Sequence, residues 1–385
     1  MSASTLAPAC RAGDRVAIVA PAGPFSHEHL LRGCALLRAW SLEPVFDPAI
    51  LTRWGYLAGQ DDLRARLLTE AWEDPSVRAI LCARGGYGSM RLLDRLPMQT
   101  FAKHPKRFFG FSDITLLLNA LVREAGLISF HSPMIASPLF FEGSPASQDT
   151  LKQALFGETL SDIYTPLLGT WVQGSRQTGR LLGGNLSLIA SAIGTPWEIT
   201  DQPIILLLEE VSEPPYRIDR MLQQLRYSGF LERVIGIALG DMGAYQDQYQ
   251  RYTTQEMWLE RLALPPTCAL LCDLPIGHID DHRSVPLGAW MTLDPQEASL
   301  RIANDQEIRN ARESHNTRKP RNTREPHNTQ ASRFSHPTEA RHSNPSQSSQ
   351  SPQSPQSSQP SQSSQPSQPS QPSQPSIHST QRRHG

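Results

Sequence analysis

Three short segments carry side chains whose type and spacing suit hydrolytic chemistry. In Phe109-Gly110-Phe111-Ser112-Asp113-Ile114-Thr115 an apolar run ends at a serine, and an amphipathic stretch starts at once. A serine at such a strand-to-helix turn presents its hydroxyl outward. The amides at the helix start favour a developing negative charge. This is the logic of a nucleophile elbow without the G-x-S-x-G spelling. The same Ser-Asp pair also suits a plain helix cap. Glu209 and Glu210 end the apolar run ILLLEEV. One of them suits the carboxylate that orients an imidazole in a triad. Alternatively both belong to an acidic loop, with Glu213 and Asp219, before the next helix.

His278 stands in Pro275-Ile276-Gly277-His278-Ile279-Asp280-Asp281-His282. An imidazole there suits a general base near neutral pH, with His282 as competitor. His278, Asp280, Asp281 and His282 also make a conceivable metal-ligand set, although no H-E-x-x-H pattern occurs. A fourth segment, Arg84-Gly85-Gly86-Tyr87-Gly88, is rich in glycine, which lets backbone approach a ligand closely. It suits either a phosphate cradle or a source of oxyanion-hole amides.

These segments need a scaffold that brings strand ends together. Residues 15–20 (RVAIVA), Leu42–Phe46, Val77–Cys82 and Arg107–Phe111 read as strands. His27–Trp40, Asp61–Trp72, Ser89–Leu96 and Asp113–Ala125 read as the intervening helices. Alternation of this kind predicts βαβ units and a mostly parallel sheet, with ligands beyond the carboxyl ends of the strands. The pattern loosens around Glu142–Gly169, where a boundary is placed. An α/β fold is expected, with an N-terminal domain over 1–150 and a smaller domain over 151–304.

From residue 305 the composition turns to Asn-Thr-Arg repeats and a Ser-Gln-Pro array. Too few apolar side chains remain there to offset ordering entropy, so 305–385 is expected to be a disordered basic tail. The whole 385-residue chain has a formal net charge of -1. Because the tail is basic, the body is mildly acidic, which argues against nucleic acid as a partner. The five cysteines (Cys10, Cys34, Cys82, Cys268 and Cys272) form no disulfide framework. Cys268 and Cys272 are spaced to share a helix face, though buried thiols are the plainer reading. No signal-peptide pattern opens the sequence and no apolar run of membrane-spanning length occurs, so cytoplasmic residence is expected.

Taken together, the segments GDRVAIVAPAGP, ARGGYGSMRLL, FFGFSDIT, GGNLSLIASAIGTPWEI, LLLEEVSEPPYRIDRMLQQL, GDM and LPIGH resemble, in order, the LD-carboxypeptidases. These are also called muramoyltetrapeptide carboxypeptidases. The resemblance spans roughly Gly13 to Leu293. It implies a Rossmann-like or flavodoxin-like first domain, a smaller α/β second domain, and a site between them that uses no metal or cofactor. Carried over by motif, Ser112 is the nucleophile, Glu209 the triad acid and His278 the base, with Glu210 as rival acid. Amides of Asp113 and of Gly85 or Gly86 would hold the oxyanion. Arg84 and Arg217 are candidates for binding substrate carboxylates, or for structural ion pairs. The implied reaction releases terminal D-alanine from a cytoplasmic murein tetrapeptide through an acyl-enzyme. The family tends to form homodimers. Three rivals stand beside this reading. One is a microcin C self-immunity peptidase, which would need an aromatic such as Trp54, Trp197 or Trp290 to stack a nucleobase. The others are a non-catalytic binding module and an interaction protein acting through its tail.

Overall fold

Strand β1 (Arg15–Val19) is buried along nearly its whole length, as are β3 (Val77–Cys82) and β4 (Arg107–Gly110). Continuous apolar runs of this kind belong to parallel sheets covered on both faces. With β2 (Glu43–Val45) and β5 (Ser129–His131) these strands pair in parallel. A sixth strand, β12 (Val285–Leu287), pairs antiparallel with β5, giving the order β12-β5-β4-β3-β1-β2. The computed structural model describes residues 4–243 and 260–317, with side chains through 315.

A second sheet has the order β6-β14-β13-β8-β9-β10-β11-β7. Its centre is parallel: β8 (Gln177–Asn185), β9 (Ile204–Glu209), β10 (Val234–Leu239) and β11 (Ala269–Cys272). Antiparallel strands flank it: β6 (Leu167–Leu168), β7 (Thr170–Gln173), β13 (Trp290–Asp294) and β14 (Ser299–Ile302). Both sheets lie within one compact unit, Met1–Arg321. The chain is thus a mixed α/β protein with a largely parallel first sheet.

The Thr115–Glu124 helix ties the two sheets together. Eight consecutive residues, Thr115 to Val122, are buried, as expected for a helix enclosed on all sides. Asn119 Nδ2 donates to Gly183 O at 2.8 Å, and Gly183 N donates back to Asn119 Oδ1 at 3.0 Å. One turn earlier, Asn185 N donates to Thr115 Oγ1 at 3.0 Å. Gly184 makes this approach feasible: a Cβ there would stand 2.7 Å from Thr115 Oγ1, and its φ is +132°.

Three expectations need correction. The segment read as a helix over Ser89–Leu96 winds as a 3₁₀ helix over Ser89–Arg95, with its first amide, Ser89 N, donating to the Asp113 carboxylate. Cys268 directly precedes β11 and Cys272 ends it, so the two share no helix face; all five cysteines are buried and free, which is the plainer reading given above. Regular structure also continues past residue 304. The Asp305–Thr317 helix begins at Asn304, whose side chain accepts from Glu307 N at 3.0 Å while Glu307 returns a bond to Asn304 N. Arg301 anchors Glu307 at 2.6 Å. The tail expectation from 318 onward lies outside the described residues. Among the described residues no helix is long and apolar enough to cross a membrane.

Candidate active site

Ser112 follows β4 by two residues and is half-buried. Phe111 before it is extended, and Ser112 itself turns to φ +58°. A left-handed conformation in a non-glycine residue is strained and concentrates at functional corners. The corner aims the chain into a short 3₁₀ turn, Ser112–Ile114, that runs into the Thr115–Glu124 helix. The hydroxyl makes no hydrogen bond to any described residue.

The glycine loop packs against this corner. A Cβ on Gly85 would stand 3.2 Å from both Asp113 N and Ser112 Cβ, so only a bare backbone fits without crowding. Gly85 O accepts from Gly23 N at 2.9 Å, which links the Pro21–Pro24 turn to the same spot. Asp113 is buried and braces the loop from below. Its carboxylate accepts from Ser89 N at 2.8 Å, and its carbonyl accepts from the Ser89 hydroxyl. Burial pushes the Asp113 carboxyl up, against the pull of its hydrogen bonds to Ser89 and Gly88. Arg64, fully buried, gathers the Pro21 and Gly88 carbonyls. The loops after β1 and β3 are therefore held by one guanidinium.

From the second sheet, β9 delivers Glu209 at its last position, fully buried. Glu209 Oε2 lies 2.9 Å from His278 Nδ1. Burial alone would raise this carboxyl, but its interactions with His131 and His278 outweigh it and hold it at about 2. Glu210 faces elsewhere. It accepts from Asn185, Ser187 and Val211, and so braces the start of the Leu186–Ala192 helix.

His278 keeps one-fifth of its side chain exposed, at 21%. Gly277 before it adopts φ +127°, and a Cβ there would stand 3.1 Å from Asp241 Cβ and 3.4 Å from Glu209 Cβ. The loop is pinned to the first sheet's side. Ser144 N donates to Asp280 O at 2.9 Å, Ser147 Oγ to His282 O at 2.6 Å, and Ser132 Oγ pairs with Ser284 Oγ at 2.8 Å. The Phe111 ring lies against His278, with centroids 4.6 Å apart. Ser112 thus directly follows the residue whose ring packs on His278, and no hydrogen bond joins Ser112 to His278.

The remaining predicted residues divide. Gly85 and Asp113 adjoin the Ser112 corner, whereas among the described residues the nearest atom to a Cβ on Gly86, its chain neighbours aside, would be the Gly23 α-carbon, at 3.8 Å. Arg84 is exposed and donates to Pro24 O at 2.7 Å. Arg217 is exposed and pairs with Glu213 at 3.3 Å, the structural ion pair weighed as its alternative. His282 is buried and turned inward. Among the described residues no group of three or more His, Cys, Asp or Glu is arranged to hold a metal ion. Of the tryptophans, Trp197 donates to Asp94 and Trp290 sits under Arg312. Trp54 is exposed, and nearby Tyr56 and Tyr87 form an exposed edge-on pair at the mouth of the glycine loop.

Sequence reasoning missed His131, the last residue of β5, which reaches under Glu209. Its signal was position alone: it ends a parallel strand beside β4, where ligand-facing residues collect.

Comparison with known proteins agrees with this architecture. Residues 16–132 match the LD-carboxypeptidase N-terminal domain, and residues 178–293 the LD-carboxypeptidase C-terminal domain. A putative carboxypeptidase of Streptomyces coelicolor is 40% identical over 298 residues, which cover 75% of this chain and 93% of that one. The crystal structure of a muramoyltetrapeptide carboxypeptidase from Oxalobacter formigenes superposes with a TM-score of 0.67 at 30% identity, covering 75% of this chain and 99% of that one. The structure of MccF in complex with glutamyl sulfamoyl guanosine shares the fold, with a TM-score of 0.70 at 21% identity over 78% of this chain and 98% of that one. The chain belongs to the LD-carboxypeptidase family and is a serine-type hydrolase.

Proposed function

We propose that this protein releases terminal D-alanine from murein tetrapeptides in the cytoplasm, with Ser112 as nucleophile, His278 as general base and Glu209 as the orienting acid. The observation that carries the residue assignment is the 2.9 Å contact between buried, ionised Glu209 and the Nδ1 of partly exposed His278. With Nδ1–H donated to the carboxylate, Nε2 is left as the basic atom. His278 takes the Ser112 proton as the hydroxyl attacks the carbonyl. The amides of Asp113 and of Gly85 or Gly86 receive the oxyanion. His278 then protonates the leaving D-alanine nitrogen, and an acyl-Ser112 ester remains. Water, deprotonated by His278, hydrolyses that ester and restores Ser112.

The test is mass spectrometry of products from a murein tetrapeptide ending in D-alanine, beside its L-alanine epimer. Wild type is expected to release alanine only from the D-epimer, and Ser112→Ala to release none. Equal release by Ser112→Ala would make Ser112 a helix cap and overturn the assignment. No release by folded wild type from either peptide would reject the murein substrate.

A further inference from the structure

Behind the Glu209–His278 pair lie two imidazoles that the reaction does not use. His131 and His282 are fully buried, as is Glu209. His131 Nδ1 lies 3.2 Å from His282 Nε2, and His131 Nε2 lies 3.8 Å from Glu209 Oε1. His131 Nε2, Glu209 Oε1 and His282 Nδ1 are buried without a hydrogen-bond partner among the described residues. The Phe111 ring packs edge-on against both imidazoles, with centroids 5.7 Å from His131 and 4.6 Å from His282.

Burial holds His282 well below its ordinary pKa, so it is neutral. One proton bridges His131 Nδ1 and His282 Nε2 and can belong to either ring, so two arrangements exist. In one, His131 Nδ1 donates to His282. That leaves a buried N–H on His282 Nδ1 with no acceptor, and turns the bare lone pair of His131 Nε2 toward the Glu209 carboxylate. In the other, His282 Nε2 donates to His131 Nδ1. His131 Nε2–H then faces Glu209 Oε1, and only an acceptor lone pair on His282 is left unmatched. The second avoids both penalties, a stranded donor and a lone pair against an anion.

We propose that His131 is a positioning residue for Glu209. His282 Nε2–H donates to His131 Nδ1, and His131 Nε2–H points at Glu209 Oε1, so that imidazole N–H groups address both carboxylate oxygens. The proposal rests on Glu209 and His278 acting as the acid and base. The groups facing Glu209 are His131 from β5, His278 and His282 from the loop before β12, and Asp241 after β10. Asp241 brings negative charge, so among the described residues the side chains that stabilise the anion at Glu209 are imidazoles. The 3.8 Å separation is beyond a formed hydrogen bond, and on this proposal the two atoms close to hydrogen-bond distance with substrate bound.

Two measurements on the full chain test this. Nitrogen-15 NMR of the wild-type imidazoles is expected to show Nε2–H tautomers at His131 and His282. An Nδ1–H tautomer at His131 overturns the proposal, whatever the substrate proves to be. In kinetics, His131→Leu removes the donor. The ionised carboxylate is then less stable, and it binds the protonated His278 more tightly; both effects move the acidic limb of kcat/KM to higher pH. A shift of about half to one pH unit, with kcat about tenfold lower at neutral pH, is expected. His131→Gln, whose amide nitrogen reaches the Nε2 position, is expected to restore the limb. An unmoved limb in His131→Leu would make His131 packing only. If wild type releases no D-alanine, the proposed substrate fails while the tautomers still decide this point.

Discussion

Glu209 and Glu210 are adjacent in sequence and face opposite ways: Glu209 Oε2 meets His278 Nδ1 at 2.9 Å, while both oxygens of Glu210 are taken up by Asn185, Ser187 and Val211. The period-two geometry of an extended chain enforces this divergence. One carboxylate therefore meets the His278 imidazole, and the next braces a helix start.

The two residues should separate cleanly under mutation. Glu209→Gln is expected to lower kcat by about 10³–10⁴-fold, because an amide no longer fixes the tautomer that leaves Nε2 basic. Glu210→Gln sets an NH₂ against donors and is expected to cost about 1–3 kcal/mol of stability, a Tm loss of several degrees, with a much smaller fall in kcat. D-alanine release and thermal unfolding measured on both variants check this; the reverse pattern would exchange the two roles.

Gly85 gives a purely catalytic counterpart. A Cβ there meets Asp113 N and Ser112 Cβ at 3.2 Å and the Met134 terminal methyl at 3.3 Å. These distances are tight but not prohibitive for the fold. Gly85→Ala is expected to lower kcat about 10²-fold by displacing oxyanion donors, with Tm within a few degrees of wild type. Unchanged kcat would remove Gly85 from the oxyanion site.

How much of this was legible beforehand follows from what each signal encodes. The Ser112 corner was readable because an apolar strand, a serine and an amphipathic helix are all local patterns. The choice between Glu209 and Glu210 was not, since β9 is buried at every position and carries no alternation that marks a face. His131 was invisible as a site residue because its partners are far off in the chain; His282 is separated from it by 151 residues. The joining of β12 to the first sheet is likewise a long-range pairing, and it carries the chain back across the sequence-based boundary. The Asp305–Thr317 helix was missed because its composition is polar; it is held by an Asn304–Glu307 capping box and by Arg301.

Acid should destabilise the fold in two stages. The native state binds fewer protons than the unfolded chain wherever a folded pKa is depressed, so stability is full above the unfolded pKa and falls with pH. For His282, neutral in its buried site, the loss begins as pH drops below 6.5. For Glu209 it follows between 4.5 and about 2. Urea midpoints measured from pH 7.5 to 4.5 are expected to decline in wild type and to decline less in His282→Gln, which keeps the donor to His131. Parallel declines would show that His282 does not contribute.

Asn119 lets the docking of the two sheets be measured without touching the reactive groups. Its side chain, 1% exposed, bonds both Gly183 N and Gly183 O, and donates to Thr115 O at 2.7 Å. Asn119→Ala strands the Gly183 amide and carbonyl inside the protein, at about 1–3 kcal/mol for each unsatisfied group. The Thr115–Glu124 helix follows Ser112, and β8 pairs with β9 so that Asn185 stands opposite Glu209. Loosening this contact therefore moves Ser112 relative to Glu209 and His278 as well as weakening the fold. The expected result is a Tm several degrees lower together with a fall in kcat that exceeds any change in KM, since small misplacements of reacting groups weigh on the chemical step. Asn119→Asp keeps one acceptor for Gly183 N and should lie between wild type and Asn119→Ala in Tm. A large stability loss with kcat untouched would mean that the geometry of Ser112, Glu209 and His278 is set elsewhere, by the Ser132–Ser284 and Ser147–His282 contacts that pin the histidine loop.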